Sequence, residues 1–208
     1  MEAAIPADVR EAALRLGAKW TREGHAYSSD ALIGDFENEF PDAGVPSDRR
    51  IKRHYREIYA PGMLEATWKE IHDRTSGGAI TLWRSVRIEG DPVEALSDGG
   101  LGIYWAYERD QAHAHDNASE ATAYLLEGRV EPSAIDWIET LAAATQPDWC
   151  GESEVRLLPD AEVTLVSVHR REGWLRRGSR EEEGEAVDVG DLAGAVFRAG
   201  REGAGPAP

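Results

Sequence analysis

Residues 80–88 read ITLWRSVRI, and here the spacing of apolar residues changes from a helical period to the two-residue period of a strand. One face of this predicted strand carries Ile80, Leu82, Arg84, Val86 and Ile88. The other face carries Thr81, Trp83, Ser85 and Arg87. Successive side chains of a strand point to opposite faces, so the alternation predicts a half-buried β-strand.

The residues before this strand, 1–78, form a predicted N-terminal helical region. Apolar side chains recur there at three- and four-residue spacing, as on the buried face of an amphipathic helix. Pro6, Ser29 and the pair Pro46-Ser47 stand where helices are expected to begin, because proline suits the first turn and serine caps it. The pair Pro61-Gly62 is predicted to separate a third helix from a fourth, since proline disrupts a helix interior.

Residues 79–169 form the predicted β-rich core, which makes one domain with the helices. Further strands are predicted over 101–106, 122–130, 153–158 and 162–169. Helices are predicted over 107–117 and over 133–144, the second capped by Ser133. The sequence therefore predicts an α+β fold.

Residues 170–208 form a charged, Gly-rich C-terminal tail. We expect this tail to be partly disordered, with disorder over its last ten residues. A weak apolar cluster within it is a candidate for docking onto the domain: Val187, Val189, Leu192, Val196 and Phe197.

The charge of the chain narrows the classes of partner. The 208 residues contain 23 Lys+Arg and 39 Asp+Glu, a formal net charge of -16. This acidity disfavours nucleic acid and an anionic membrane surface, and it favours a protein target with a basic surface. With no apolar stretch of membrane-spanning length and no signal-peptide pattern, we expect a cytoplasmic protein. The single cysteine, Cys150, excludes an internal disulfide and a zinc site built from cysteines.

Arg84 is the first candidate functional residue, because it lies on the apolar face of its predicted strand. A guanidinium is costly to bury there unless an anion meets it. That anion is either one of the chain's own carboxylates or a ligand phosphate bound through two parallel hydrogen bonds.

Glu152 and Glu154 are the second candidate, in the stretch GESEVRLLP. The two-residue spacing puts both carboxylates on one face of a strand. Such a pair can divide the work of stabilising a developing cation and accepting a proton. The alternative is a solvated strand edge with alternating acids.

Other residues carry weaker signals. Tyr104, Trp105 and Tyr107 form an aromatic run, which is either ordinary core or a surface that stacks on a flat heterocycle. His113 and His115 point apart on a helix and do not suggest a metal site.

Taken in order, ITLWRSV (80–86) and GESEVRLLPDAEVTLVSV (151–168) resemble the ADP-ribosyltransferase family of the bacterial toxin type. That family has an Arg on its first core strand, a Ser-Thr-Ser strand and a Glu-x-Glu strand. The resemblance covers about residues 55–169. It implies a split β-sandwich core preceded by helices, with NAD as co-substrate and without a metal. The middle element departs from the family, because Tyr104-Trp105-Ala106 stand in place of Ser-Thr-Ser.

The resemblance implies catalytic roles for the matched residues. Arg84 would pair with the pyrophosphate of NAD, and backbone groups at Ser85 would hold the nicotinamide amide. Glu154 would bind the nicotinamide ribose and stabilise the oxocarbenium ion as nicotinamide leaves. Glu152 would position and deprotonate the nucleophile, and a Glu at this position goes with arginine acceptors in the family.

The resemblance also implies a surrounding surface. Gly102, Tyr104, Trp105 and Tyr107 would complete the NAD-binding surface, with Tyr104 or Tyr107 supplying a replacement hydroxyl or stacking on nicotinamide. Trp149, in the loop 145–151, would meet the protein target.

The sequence thus predicts a mono-ADP-ribosyltransferase that modifies a protein, with arginine as the expected acceptor. A toxin, a phage effector and a host regulator all fit this prediction. Hydrolysis of NAD is a close alternative, and a non-catalytic module of the same fold that binds and occludes a protein is another. A third alternative is an unrelated α+β interaction protein in which Arg84 and the glutamates are structural.

Overall fold

The computed structural model describes residues 4–24, 30–75, 78–88, 90–98, 100–113, 122–149, 153–170, 186–188 and 190–200. Helices and a sheet are both present, so the predicted α+β class is confirmed. The chain divides into two compact units. A helical unit comprises Met1–Ser76 and Asp136–Glu154, and a sheet unit comprises Gly77–Ile135 and Val155–Pro208.

The helical unit contains five α-helices and a π-helical turn in its described residues. They are α1 (Ala7–Gly24), α2 (Asp30–Glu39), α3 (Asp48–His54), the π turn Tyr55–Tyr59, α4 (Ala60–Arg74), and a helix from the later segment that we number α6 (Trp137–Ala144). A short 3₁₀ turn, Pro147–Trp149, follows α6. The sequence assigned α6 to the β-rich half, yet this segment packs with the N-terminal helices.

The prediction that Pro61-Gly62 breaks the helix is wrong. The chain runs from α3 through the π turn into α4, where Pro61 occupies the first turn. A proline ring clashes with the carbonyl four residues earlier in a regular helix. The wider π turn relieves this clash, because the Ala60 N–H donates to the Tyr55 carbonyl five residues back.

Two apolar clusters hold the helical unit together. One joins α2, α3 and the π turn through Leu32, Phe36, Ile51, Tyr55, Tyr59 and Ala60. The other joins α1, α4 and α6 through Ala13, Leu64 and Leu141, with Trp68 and Trp137 packed against it at a ring-centroid distance of 4.6 Å. Full burial of each large apolar side chain contributes about 2–3 kcal/mol to folding.

A buried polar network links α1, the π turn and the end of α6. Thr21 Oγ1 lies 2.8 Å from Tyr55 Oη and 3.1 Å from Gln146 Oε1. Gln146 Nε2 donates to the Gly17 carbonyl at 3.0 Å and to Thr145 Oγ1 at 3.0 Å. Since buried polar groups are costly without partners, these bonds favour one register of α6 on α1.

In its described residues the sheet unit contains one α-helix and six strands, except that Glu154, the first residue of β4, is assigned to the helical unit. The strands are β1 (Ile80–Ile88), β2 (Tyr104–Ala106), β3 (Thr122–Val130), β4 (Glu154–Arg156), β5 (Glu162–Arg170) and β6 (Val196–Arg198), in the order β4-β2-β1-β3-β5-β6. The helix α5 (Pro92–Asp98) was not predicted. β1 pairs antiparallel with β3 over its whole length, from Ile80↔Val130 to Ile88↔Thr122. The described strands therefore form one continuous hydrogen-bonded sheet.

β1 and β2 share a much shorter ladder, with Trp83↔Ala106 as their only paired positions among the described residues. β3 pairs with β5 through a register shift at Glu127/Gly128, which makes a β-bulge. The buried face of these strands includes Leu82, Leu126, Val163, Leu165 and Val168.

Two predicted helices differ from the structure. The helix predicted over 107–117 is a 3₁₀ turn, Arg109–His113, within the described residues. The helix predicted from Ser133 begins only at Trp137, and Asp136 caps it by accepting a hydrogen bond from the Glu139 N–H at 3.0 Å. Ser133 instead lies in a 3₁₀ turn, Pro132–Ala134, after which Ile135 pairs with Leu157.

The docking prediction for the C-terminal apolar cluster is confirmed at its first and last residues, Val187 and Phe197. Phe197 in β6 pairs with Val163 in β5, and the Val187 N–H donates to the Val168 carbonyl. The disorder predicted for the last ten residues is wrong at Ala199, which is fully buried and donates to the Ala161 carbonyl at 2.8 Å. Residues 201–208 lie outside the described residues. Among the described helices, none has the length and apolar character needed to cross a bilayer.

Candidate functional site

Arg84 lies on β1 just where the ladder with β2 ends. Its side chain is half-buried, and its Nη1 donates to the carbonyl of Tyr104 on β2. A side chain thus bridges the two strands beyond their last backbone pair, Trp83↔Ala106. This contact gives Arg84 a structural role and holds its guanidinium at a defined position beside β2.

Gly102 forms one wall of the Arg84 position. Its φ of +80° is in the left-handed region, which favours glycine. A Cβ added to Gly102 would lie 2.5 Å from the Arg84 Cζ and 2.6 Å from Nη2. Only a glycine lets the guanidinium pack directly on this backbone, so Gly102 supports the position of Arg84.

Tyr104 contacts a second arginine that the sequence analysis did not single out. Arg156, on β4, donates from Nη2 to the Tyr104 hydroxyl at 2.6 Å. Its Cζ also lies 4.4 Å from the centroid of the Tyr104 ring. One face of the ring is therefore covered by a cation, which is a favourable arrangement for an electron-rich ring. The signal available in sequence was only that Arg156 follows the Glu-x-Glu stretch by two residues.

Trp105 belongs to the core of the sheet unit. Its exposed fraction is 2 %, and its Nε1 donates to the Gly102 carbonyl at 2.9 Å. Its ring packs against Gly128, where an added Cβ would lie 3.0 Å from two of the indole carbons. This burial favours the core interpretation of Trp105 over a surface that stacks on a heterocycle.

Ser85, which follows Arg84 on β1, and Tyr107 are half-buried. Ser85 is paired in register with Leu125 of β3. Tyr107 follows directly after β2 and precedes the 3₁₀ turn Arg109–His113. Their predicted contacts with nicotinamide remain predictions.

Glu154 is the first residue of β4 and is half-buried. The residue before it, Ser153, has a φ of +51° and is the one non-glycine with positive φ among the described residues. A side chain in the left-handed region costs about 1–2 kcal/mol, and such strain is often found at functional sites. Glu152 and the side chain of Trp149 lie outside the described residues.

A second polar cluster lies at the β-bulge of the sheet unit. Ser167 Oγ donates to Glu127 Oε2 at 2.8 Å and lies 3.0 Å from His169 Nε2. Because the hydroxyl proton is directed at the carboxylate, the imidazole is left to donate to Oγ. The arrangement therefore does not present Ser167 to His169 for deprotonation. The described part of the chain holds no group of three potential metal-ligating side chains.

Comparisons with models of protein families, with curated proteins and with solved structures find no match to this chain. The fold and the arrangement of side chains are therefore the basis for a functional proposal.

Proposed function

We propose that this protein is an NAD-dependent mono-ADP-ribosyltransferase that transfers ADP-ribose to a protein side chain, with arginine as the acceptor. The observation that carries the proposal is the strand order β4-β2-β1. The Arg-bearing strand, the aromatic strand and the Glu-bearing strand of the family resemblance are neighbours in one sheet. Both β3 and α6 lie between β2 and β4 in the chain, so chain proximity alone does not account for the position of β4 beside β2.

The surroundings of Arg84 support its role as a phosphate-binding residue. Packing on Gly102 and the bond to the Tyr104 carbonyl restrict the guanidinium to one position. A guanidinium presents five N–H donors in a planar fork that matches the geometry of a phosphate. Arg156 adds a second guanidinium at the same tyrosine.

The strain at Ser153 supports a role for the adjacent Glu154. Cleavage of the glycosidic bond of NAD develops positive charge on the ribose, and a preorganised carboxylate lowers the free energy of that transition state. A neighbouring carboxylate, Glu152, would accept a proton from the arginine guanidinium as it attacks. This step transfers ADP-ribose, releases neutral nicotinamide and needs no metal.

One observation favours a second candidate, a non-catalytic module that binds ADP-ribose or a protein. The middle strand offers the Tyr104 hydroxyl to Arg156 and buries Trp105, and its third residue is Ala106. Tyr104 carries the one side-chain hydroxyl of this strand, and that hydroxyl already accepts a hydrogen bond from Arg156. Hydrolysis of NAD remains the catalytic alternative.

The test is incubation of the full chain with NAD labelled in the adenylate, with and without the small guanidine agmatine and with a cell lysate. We expect labelled adducts together with free nicotinamide, and loss of both in Glu154→Gln. The matched control is Glu162→Gln, an exposed glutamate that also begins a strand, which we expect to keep full activity. Nicotinamide release without adducts would indicate the hydrolase. Neither product, with NAD still raising the melting temperature, would indicate the binding module.

A further inference from the structure

A strongly basic surface lies on the helical unit, in contrast to the acidity of the whole chain. The segment Asp48–Tyr59 contains only two carboxylates, Asp48 and Glu57. It contains five cationic side chains, all exposed: Arg49, Arg50, Lys52, Arg53 and Arg56. We call these five side chains the α3 basic surface.

The helical spacing directs these cations away from the core. The buried residues of the same stretch pack towards α2, and they are Ile51, His54, Tyr55 and Tyr59. Position 49 lies three and four residues before positions 52 and 53, which lie four and three residues before position 56. The four positions therefore share one side of the helix. At 1.5 Å per residue, the surface is roughly 10 Å long, the length of two helical turns.

Bonds within the helical unit hold these arginines without burying them. Arg53 Nε donates to Glu57 Oε2 at 2.8 Å, with side-chain exposures of 71 % and 57 %. This hydrogen bond and the charge of Glu57 raise the pKa of the Arg53 guanidinium, so it is charged throughout the physiological range. Arg50 lies over the Phe36 ring at 5.1 Å and donates to the Ala43 carbonyl. An exposed ion pair contributes little to stability, so a partner's carboxylate can replace Glu57 at small cost.

Two apolar side chains are exposed in this part of the helical unit, and one of them, Phe40, has its ring centroid 5.0 Å from that of Phe36, over which Arg50 lies. Ile58 of the π turn is 39 % exposed, and Phe40, whose ring contacts His54, is 37 % exposed. Arginines next to exposed aromatic and aliphatic side chains are typical of protein interfaces. A π turn is also a frequent feature of functional sites.

The charge distribution distinguishes between classes of polyanion. A long polyphosphate extends over the whole protein and is repelled by its net charge of -16. A short acidic protein segment interacts mainly with the charges nearest to it, because salt screens the more distant ones. We propose that the α3 basic surface binds an acidic segment of a partner protein, with carboxylates on the cations and an apolar side chain on Phe40. This surface is independent of the NAD chemistry proposed above.

The test is fluorescence anisotropy with the full chain and a labelled peptide of glutamates with one leucine per helical turn. We expect binding at low salt that weakens steeply as salt is added. The variant Arg49→Gln/Lys52→Gln/Arg56→Gln is expected to bind roughly tenfold more weakly. The matched control, Arg15→Gln/Lys19→Gln/Arg22→Gln, removes three exposed charges at similar spacing from α1 and is expected to bind as wild type does.

A variant of opposite sign keeps the test independent of folding defects. Glu57→Gln removes the internal partner of Arg53 and is expected to bind the acidic peptide more tightly. Equal weakening in both triple variants would overturn the proposal, as would no binding at low salt. Tighter binding to duplex DNA or to anionic vesicles than to the peptide would also overturn it.

Discussion

The guanidinium of Arg84 packs directly on the backbone of Gly102, where an added Cβ would lie 2.5 Å from the Arg84 Cζ. Gly102 precedes β2 and has a left-handed backbone conformation, and its backbone lies against the guanidinium of the arginine on β1. Any side chain at position 102 must displace the guanidinium, and displacement also breaks its bond to the Tyr104 carbonyl. The position of Arg84 is thus determined by a residue that carries no side chain.

Gly102→Ala is expected to destabilise the protein by more than Gly90→Ala. Gly90 has nearly the same backbone conformation, with φ +84° against +80°, but has open space where a Cβ would be added. Gly90→Ala should therefore cost only the left-handed strain, about 1–2 kcal/mol. Gly102→Ala should add about 0.5–1.5 kcal/mol, because the displaced guanidinium loses its bond to the Tyr104 carbonyl. Urea unfolding measures both, and equal losses would contradict the contact. In an Arg84→Ala background the extra loss should disappear.

Gly17→Ala is expected to destabilise the helical unit although alanine is the better helix former. A Cβ at Gly17 would clash with Thr145 Oγ1 and would lie 3.2 Å from the Ala142 carbonyl. Overpacking of this kind costs about 1–3 kcal/mol. Gly34→Ala in α2 is the control, because nothing lies within 4 Å and helix propensity alone should raise stability by up to about 1 kcal/mol. Thermal unfolding of the two variants should shift in opposite directions.

Gln146→Leu is expected to lower the free energy of unfolding by about 1–3 kcal/mol, because it leaves buried polar groups on α1 without this partner. Thr21→Val should also destabilise, since Thr21 is fully buried in the same network. The double variant should lose less than the sum of the single losses, because each removes a partner of the other. Additive losses in a double-mutant cycle would show that Thr21 and Gln146 do not interact.

Ser153→Gly tests whether the backbone of the residue before Glu154 is strained, because glycine adopts the same backbone conformation without strain. Glycine adopts a φ of +51° without penalty, so the variant should be as stable as wild type or more stable by up to about 1 kcal/mol. Ser133→Gly in the 3₁₀ turn has no such strain to relieve and should lose about 0.5–1 kcal/mol. Denaturant unfolding compares them, and a clear loss of stability in Ser153→Gly would show that the serine side chain, not the backbone, matters.

Much of the secondary structure followed from the sequence. The predicted bounds 122–130 coincide with β3, which is buried on both faces over residues 123–126, and the two-residue alternation over 80–88 coincides with β1. The predictions of helix ends were wrong where a neighbouring turn alters the backbone hydrogen bonds. Pro61 does not end a helix, because a π turn precedes it. The N-cap of α6 is Asp136 and not the predicted Ser133. For the candidate site, the sequence singled out Arg84 and Gly102, but it offered no signal for the stacking of Arg156 on Tyr104.

The sequence by itself determined the α+β class and which face of β1 is apolar, because hydrophobic periodicity is a property of neighbouring residues in the chain. Only the tertiary structure decided that 136–154 joins the N-terminal helices and that β2 lies between β1 and β4. It also decided that Arg84 rests on Gly102. These features depend on which distant segments exclude water from one another and pair their backbones, and no local pattern encodes that choice.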